Sequence, residues 1–199
     1  MDGLQLLGLW CTVLSVAFVW PQVARVYRQR TVEGIAPNGT LHIAAAASLW
    51  MTYGIARADL AISAANAAVV VAMVLIASQQ IRYGTLAART AALTALAIAV
   101  VAGCGLAISP DVVGWLAIAA GATSALPQTF HVLRAPSLHG VSVPTYALLC
   151  VTAVSWAAYG FGVGDPLVVV TNLVVLPCAA LVLALTLASR RSAAVTAAA

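Results

Sequence analysis

The sequence predicts an all-α integral membrane protein of seven transmembrane helices, built as two parallel three-helix bundles joined by one linker helix. The first observation is composition: 63% of the residues are hydrophobic and 7% are charged, whereas a soluble domain is normally about 25% charged. The second is an internal repeat, because the pattern W-x-x-Y-G at 50–54 returns at 156–160. The same shift of 106 residues aligns Pro21-Gln22 with Pro127-Gln128, Asp59 with Asp165 and Asn66 with Asn172. The residues between these positions differ, so shared composition does not explain the matches. The matches at one fixed offset therefore indicate an internal duplication.

Seven apolar stretches are each close to the roughly 20 residues that a helix needs to cross about 30 Å of hydrocarbon. They lie at about 5–27, 38–57, 60–80, 88–107, 110–133, 142–162 and 166–187. The first stretch lacks the basic start and the small-residue cleavage site of a signal peptide. We therefore expect it to remain in the protein.

The basic residues predict the orientation. All nine are Arg, and eight of them lie beyond the ends of helices that share one side of the membrane, with only Arg57 on the other side. By the positive-inside rule, the N-terminus is outside and the C-terminus is cytoplasmic. The net charge of +4 is thus a topology signal, and we expect no nucleic-acid partner. The predicted location is a cell membrane that the chain crosses several times, and the high Ala content favours a bacterial plasma membrane.

The repeat divides the chain into four segments. They are a first three-helix repeat at 1–84, a linker helix at 85–107, a second three-helix repeat at 108–191 and a short tail at 192–199. A three-helix unit that starts outside ends inside, so a second copy in the same orientation needs one more crossing. The linker helix supplies that crossing and is expected to face lipid.

Polar and aromatic residues deep in the first repeat predict a binding site. If the hairpin between helices 2 and 3 turns near residue 58, Trp50 and Asn66 each lie about eight residues, or roughly 12 Å, from its tip. A Trp at that depth is not a residue of the interfacial belt, as Trp10, Trp20 and Trp115 are expected to be. A lone Asn in a membrane helix often joins helices, but its pairing in depth with a Trp occurs twice.

Charged residues at the hairpin tip predict an outer gate. Trp50, Tyr53 and Arg57 fall on one stripe of helix 2, and the expected partner of Arg57 is Asp165, with Asp59 as the local alternative. The second repeat has Val163 where the first has Arg57, so the gate must be asymmetric. Both Asp residues also suit the N-cap of the following helix.

Prolines at the opposite ends of the helices predict a hinge. Pro21 and Pro127 lie inside helices 1 and 5, where each removes a backbone hydrogen bond and favours a kink. Pro37 and Pro144 stand at the starts of helices 2 and 6, where proline is common.

A Pro-Gln pair in helix 1, then W-x-x-Y-G, an Asp after the hairpin and an Asn seven residues later, all present twice, resemble the PQ-loop superfamily, and within it the SWEET and SemiSWEET sugar transporters. The resemblance implies facilitative (uniport) transport of a small neutral mono- or disaccharide by alternating access within a lipid bilayer, without cofactor or metal. It assigns the sugar to Trp50, Asn66, Trp156 and Asn172. It assigns the outer gate to Tyr53, Arg57, Asp59, Tyr159 and Asp165, and the hinge to Pro21, Gln22, Pro37, Pro127, Gln128 and Pro144. A homo-oligomer is compatible with the sequence.

Three alternatives fit the sequence less well. A proton-coupled amino-acid exporter of the same superfamily would use a carboxylate inside the membrane, but all five acids lie at helix ends. A receptor resembling the KDEL receptor would need charged groups in its cavity. An enzyme would need a carboxylate pair, a triad or a metal cluster, and the sequence contains no such pattern. Transport of another small neutral solute stays open.

Overall fold

The computed structural model describes residues 2–134 and 141–198, and within them the side chains of 2–123, 129 and 141–190. This part of the chain is all-helical, as predicted. Its seven helices are α1 (Gly3–Gln29), α2 (Pro37–Ala56), α3 (Leu60–Arg82), α4 (Ala88–Ile108), α5 (Pro110–Arg134), α6 (Val143–Val163) and α7 (Pro166–Ala198). The helix starts and ends agree with the apolar stretches to within a few residues, except that α7 continues well beyond residue 187.

Five of the helices are long and apolar enough to cross a membrane. They are α1, α3, α4, α6 and the part of α7 from Pro166 to Arg190. Helix α2 is not among them, because Asn38, Thr40 and His42 near its start lower its hydropathy. Length and composition of the described residues therefore support five of the seven predicted crossings.

The chain forms two compact units, Met1–Gly121 and Ala122–Ala199, and α5 passes from the first into the second. In the first unit, α1 and α2 both pack against α3, and α4 packs against α2. Val19 and Val23 of α1 meet Ala72, Met73 and Ile76 of α3 in its core. In the second unit, α6 packs against α7. Most of α4 is exposed, and its role as a linker helix that faces lipid stays a prediction.

Local sequence signals explain where several helices begin and end. Asp2 and Gln5 form a capping box at the start of α1, and the Ser142 side chain accepts a hydrogen bond from the Thr145 amide at the start of α6. Pro37 occupies the first turn of α2. Pro144 does the same in α6. Each is tolerated because the first amides of a helix have no intrahelical acceptor.

The α2–α3 and α6–α7 hairpins are packed tightly by a glycine at the same position of each repeat. A Cβ on Gly54 would lie 2.8 Å from the Ser63 amide nitrogen and 2.9 Å from Ile62 Cγ2. A Cβ on Gly160 would lie 3.0 Å from Val168 Cγ1. Small residues allow such close helix contacts in membranes, so the Gly of W-x-x-Y-G fixes the distance between the two helices of each hairpin.

Gly54→Ala is predicted to destabilise the protein by about 1–3 kcal/mol, because the new methyl group meets backbone that cannot move aside. The matched control is Gly103→Ala in the middle of α4, where nothing lies within 4 Å of the added Cβ; helix propensity makes that change neutral or stabilising. Melting of the purified variants, followed by Trp fluorescence, measures both. Equal melting temperatures for the two variants would contradict the packing role of Gly54.

Candidate functional site

An aromatic pair is built in the same way in each repeat. The rings of Trp50 and Tyr53 meet edge to face, with centroids 5.5 Å apart at 88°. Trp156 and Tyr159 repeat the arrangement at 5.6 Å and 89°. Both Tyr rings are buried and both Trp rings are half-buried. This edge-to-face geometry is the favoured one for aromatic pairs, so each buried Tyr holds its Trp in one orientation while part of the indole stays accessible.

The two Asn side chains also have matching local geometry. Asn66 Nδ2 donates to the Ile62 carbonyl at 2.9 Å, and Asn172 Nδ2 donates to the Val168 carbonyl at 2.8 Å. Each acceptor lies one helical turn earlier, and both Asn residues are half-buried. A primary amide has two N–H groups and a carbonyl oxygen. The internal bond uses one N–H and leaves the carbonyl oxygen and the other N–H for a ligand.

The structure places one Trp and one Asn on each hairpin. Trp50 is on α2 and Asn66 on α3, while Trp156 is on α6 and Asn172 on α7. The repeat seen in the sequence is therefore a repeat of side-chain geometry as well, because the ring angles and the Asn hydrogen bonds agree between the two copies.

The Asp residues at the hairpin tips are helix caps. Asp59 Oδ1 accepts from the Ile62 amide at 2.9 Å, and Asp165 Oδ1 accepts from the Val168 amide at 3.2 Å. The backbone turn is also the same, since Asp59 N donates to Gly54 O and Asp165 N donates to Gly160 O, both at 2.8 Å. The expected N-cap role is confirmed for both residues, and a gating role for either stays a prediction.

Arg57 pairs with Asp111, a partner that the sequence analysis did not name, and a contact of Arg57 with Asp165 or Asp59 stays a prediction. The physical reason is local: the Asp59 carboxylate is directed to the amides of α3, whereas Asp111 lies in the first turn of α5. In the predicted topology, helix 2 ends and helix 5 begins on the same side of the membrane, so Arg57 and Asp111 are expected on that side. Acidic residues are favourable in the first turn of a helix, which is where Asp111 lies. These two facts could have indicated the Arg57–Asp111 pair from the sequence.

The guanidinium of Arg57 also lies over the Tyr53 ring, with 5.5 Å from Cζ to the ring centroid. A hydrogen bond with the Tyr53 side chain, and then the charge of Asp111, raise the pKa of Arg57. Arg57 therefore keeps its charge at every physiological pH. A continuous series of contacts runs from Trp50 through Tyr53 and Arg57 of the first repeat to Asp111 in the first turn of α5. The second repeat has Val163 at the position of Arg57.

The predicted hinge residues lie on four helices, α1, α2, α5 and α6. Pro21 and Gln22 are exposed on α1, and Pro37 and Pro144 begin α2 and α6. Pro127 and Gln128 lie within the backbone of α5, but their side chains are outside the described part. A cavity of about 170 Å³ adjoins Gln22, the connection at Gly34–Ala36 and the start of α2.

Gln80 is a residue that sequence analysis missed. It is fully buried, and its Nε2 donates to the Ile35 carbonyl at 3.0 Å. The backbone carbonyl of Gln80 accepts from the Thr85 and Leu86 amides. Gln80 thus ties the α1–α2 connection, next to Pro37, to the end of α3. A Gln next to the apolar run of α3 was the sequence feature that could have indicated this role.

The other three Trp residues and His42 lie outside the predicted sugar site. Trp10 and Trp115 are 48% and 55% exposed, as expected of belt residues. Trp20 instead packs against the core of the first unit, and its indole nitrogen is buried, so the belt assignment is wrong for Trp20. His42 Nε2 lies 2.7 Å from the Ala120 carbonyl. Among the described residues, no cluster of His, Cys, Asp and Glu could hold a metal.

Comparison with known proteins places these features in context. Residues 5–91 match the family described as "Sugar efflux transporter for intercellular exchange". A curated relative, "Sugar transporter SemiSWEET" of Escherichia coli (strain UMEA 3162-1), is 38% identical over 65 residues, which are 33% of this chain and 73% of the relative. The fold resembles that of a eukaryotic SWEET transporter solved at 3.7 Å resolution, with a TM-score of 0.71 and 17% identity over 96% of this chain and all of that one.

The Arg57–Asp111 contact predicts energetic coupling between these residues and not between Arg57 and Asp59. Both side chains of the pair are about half exposed, so a double-mutant cycle of Arg57→Ala and Asp111→Ala should give a coupling free energy of about 0.2–1 kcal/mol. This coupling should be smaller in 1 M salt, where the Debye length is about 3 Å. The control cycle combines Arg57→Ala with Asp59→Asn, which keeps the cap and removes the charge. A larger coupling in the control cycle would show that Asp59 is the true partner.

Proposed function

Because the chain belongs to the SWEET and SemiSWEET family of sugar transporters in the PQ-loop superfamily, we propose that it carries a small neutral sugar across the membrane by facilitated diffusion. The family consists of transport proteins, in agreement with the expectation that the chain is not an enzyme. The observation that supports this function best is the aromatic and amide set that forms with the same geometry in both hairpins.

The chemistry of a sugar suits this set. The C–H faces of a pyranose or furanose ring pack on aromatic rings, and its hydroxyl groups need donors and acceptors at fixed positions. Trp50 and Trp156 supply accessible indole surface, held in place by Tyr53 and Tyr159. Asn66 and Asn172 each supply a carbonyl oxygen and an N–H. We assign these Trp and Asn residues to the sugar site. None of them carries a charge, which favours a neutral solute.

The proposed mechanism is alternating access about this site. The 1–84 and 108–191 repeats form two parallel bundles, with 85–107 as the linker, the N-terminus outside and the C-terminus in the cytoplasm. At the outer end, Tyr53, Arg57, Asp59, Tyr159 and Asp165 form the gate, to which Asp111 is added as the partner of Arg57. At the inner end, the hinge consists of Pro21, Gln22, Pro37, Pro127, Gln128 and Pro144. A contact made in only one state shifts the equilibrium by its differential energy.

The acids discussed above and His42 already have partners elsewhere, which argues against proton coupling. A coupled carrier needs a group in its cavity whose charge or ion ligation differs between the two states. Asp59 and Asp165 are helix caps, Asp111 is paired with Arg57, and His42 contacts the Ala120 carbonyl. The geometry of the described residues thus favours a uniporter over a proton-coupled amino-acid exporter, and no specific contact favours a receptor.

The sugar site is tested by Trp50→Ala, Trp156→Ala, Asn66→Ala and Asn172→Ala. Each variant should lower the initial rate of uptake into proteoliposomes roughly tenfold or more, the equivalent of about 1.4 kcal/mol of lost interaction with the substrate. Uptake is measured with a panel of radiolabelled mono- and disaccharides. Melting temperatures should fall only slightly, since the Trp variants lose one edge-to-face contact of about 0.5–1.5 kcal/mol.

Trp10→Ala and Trp115→Ala are the matched controls, because both rings are about half exposed and lie outside the proposed site. They should transport like the wild type. Normal transport by the Trp50 and Trp156 variants, or the same loss in the controls, would show that the assignment of the site is wrong.

Uniport is tested by the endpoint of uptake. The sugar should equilibrate across the liposome membrane without accumulating, and an imposed pH gradient should change neither the endpoint nor its direction. The reason is that the polar side chains assigned to the sugar are amides and indoles, which do not titrate in the physiological range. Accumulation that a protonophore abolishes would place the chain among the proton-coupled carriers of the superfamily.

A further inference from the structure

A second polar cavity lies at the end of the first unit, apart from the residues assigned to sugar, gate and hinge. It has a volume of about 270 Å³ and is lined by Val26, Tyr27, Arg30, Gln79, Arg82 and Tyr83. It lies between the C-terminal ends of α1 and α3. Five of its six lining side chains carry a hydrogen-bond donor, and none is an acid.

The charges in this cavity are positive and not neutralised by a carboxylate. Among the described residues, neither Arg30 nor Arg82 forms an ion pair, since the ion pair there joins Arg57 and Asp111. The ends of α1 and α3 each contribute about half a negative charge from the helix dipole. Two guanidinium groups exceed that sum, so the cavity keeps a net positive charge of about one.

The backbone at Arg30 is a separate observation. Arg30 has φ 51° and ψ 43°, the left-handed conformation that ends many helices and that normally holds Gly. A side chain in this conformation is strained. Gly would relieve the strain but would remove one of the two positive charges of the cavity. Strain kept at a residue that lines a polar cavity indicates a use for its side chain.

We propose that this cavity binds a phosphate group. Guanidinium groups donate to phosphate oxygens in pairs, and the Tyr83 hydroxyl and the Gln79 amide add neutral donors, whereas the Tyr27 hydroxyl donates to the Leu75 carbonyl. Basic pockets between membrane helices are also where anionic lipid headgroups bind. The phosphate belongs either to an anionic phospholipid of the adjoining leaflet or to a soluble phosphate compound, and the two sources share the same recognition chemistry.

General attraction of basic residues to the membrane surface is the competing explanation, because Arg residues collect at this end of the helices. Arg28 and Arg89 provide the distinction. Both lie at the same end and are exposed, but neither lines the cavity. Arg30→Gln with Arg82→Gln and the control Arg28→Gln with Arg89→Gln therefore remove equal charge from the same surface, and only the first removes it from the cavity.

The test uses the full chain purified in neutral detergent, with two probes. Native mass spectrometry counts bound phosphatidylglycerol, with phosphatidylcholine as the uncharged reference, and the melting temperature is titrated with inorganic phosphate against chloride at equal ionic strength. We expect the wild type and the control variant to bind one phosphatidylglycerol about tenfold more tightly than the cavity variant. Arg30→Gly, which relieves the backbone strain, should melt no lower than the wild type and still bind more weakly.

The two arms identify the source of the phosphate. Cavity-dependent binding of phosphatidylglycerol supports a lipid, and cavity-dependent stabilisation by inorganic phosphate alone supports a soluble compound. If neither probe distinguishes the wild type from the cavity variant, or if the control variant loses as much binding, the proposal is overturned. Sugar uptake is a separate measurement, so the two proposals fail independently.

Discussion

The need to pair every polar group inside hydrocarbon constrains the rest of this structure. A backbone N–H or C=O without a partner costs several kcal/mol in the bilayer, and the regular elements of the described part are all helices. The hydroxyl side chains obey the same rule. Those of Thr12, Ser15, Thr52, Thr152, Ser155, Thr171 and Thr186 each donate to the carbonyl four residues earlier, at 2.7–3.0 Å.

The same rule explains why Asn suits the proposed site. Asn66 and Asn172 satisfy one N–H within their own helices and still retain groups for a substrate, whereas Ser and Thr donate their only hydrogen to the preceding turn. An amide is therefore the smallest neutral side chain that can be stable in an apolar helix without a ligand and can donate as well as accept when one arrives. The adjacent Trp–Tyr pairs add rigid apolar surface without any charge.

The two copies of the repeat share the packing of their hairpins and differ in one charged residue at the hairpin tip. The tight Gly contact, the Asp cap and the edge-to-face pair occur in both copies with nearly equal distances. The differences lie at the tip, where Arg57 and its contact with Asp111 have no counterpart beside Val163. In the function proposed above, the shared set is assigned to the sugar and the Arg57 contact to the gate.

The end of the first unit at which α1 and α3 terminate depends on contacts of another kind. The buried Gln80 side chain joins the α1–α2 connection to the end of α3 through one hydrogen bond. The cavity with Arg30 and Arg82 lies at the same end of α3. A phosphate bound there would contact α1 and α3 together, the two helices whose packing forms the core of this unit.

The sequence by itself determined the helices, the repeat and the aromatic, Asn and cap positions, because these follow from apolar length and from spacing within one or two turns. It also led to the family, which the comparisons show. Only the tertiary structure decided the partner of Arg57, the packing of the half-buried Trp20 against the core, the role of Gln80 and the cavity between α1 and α3. Each of these depends on which residues meet across segments distant in the chain, such as Arg57 with Asp111 or Gln80 with Ile35. Local periodicity places a residue on a helix face, but only the packing of helices determines what that face contacts.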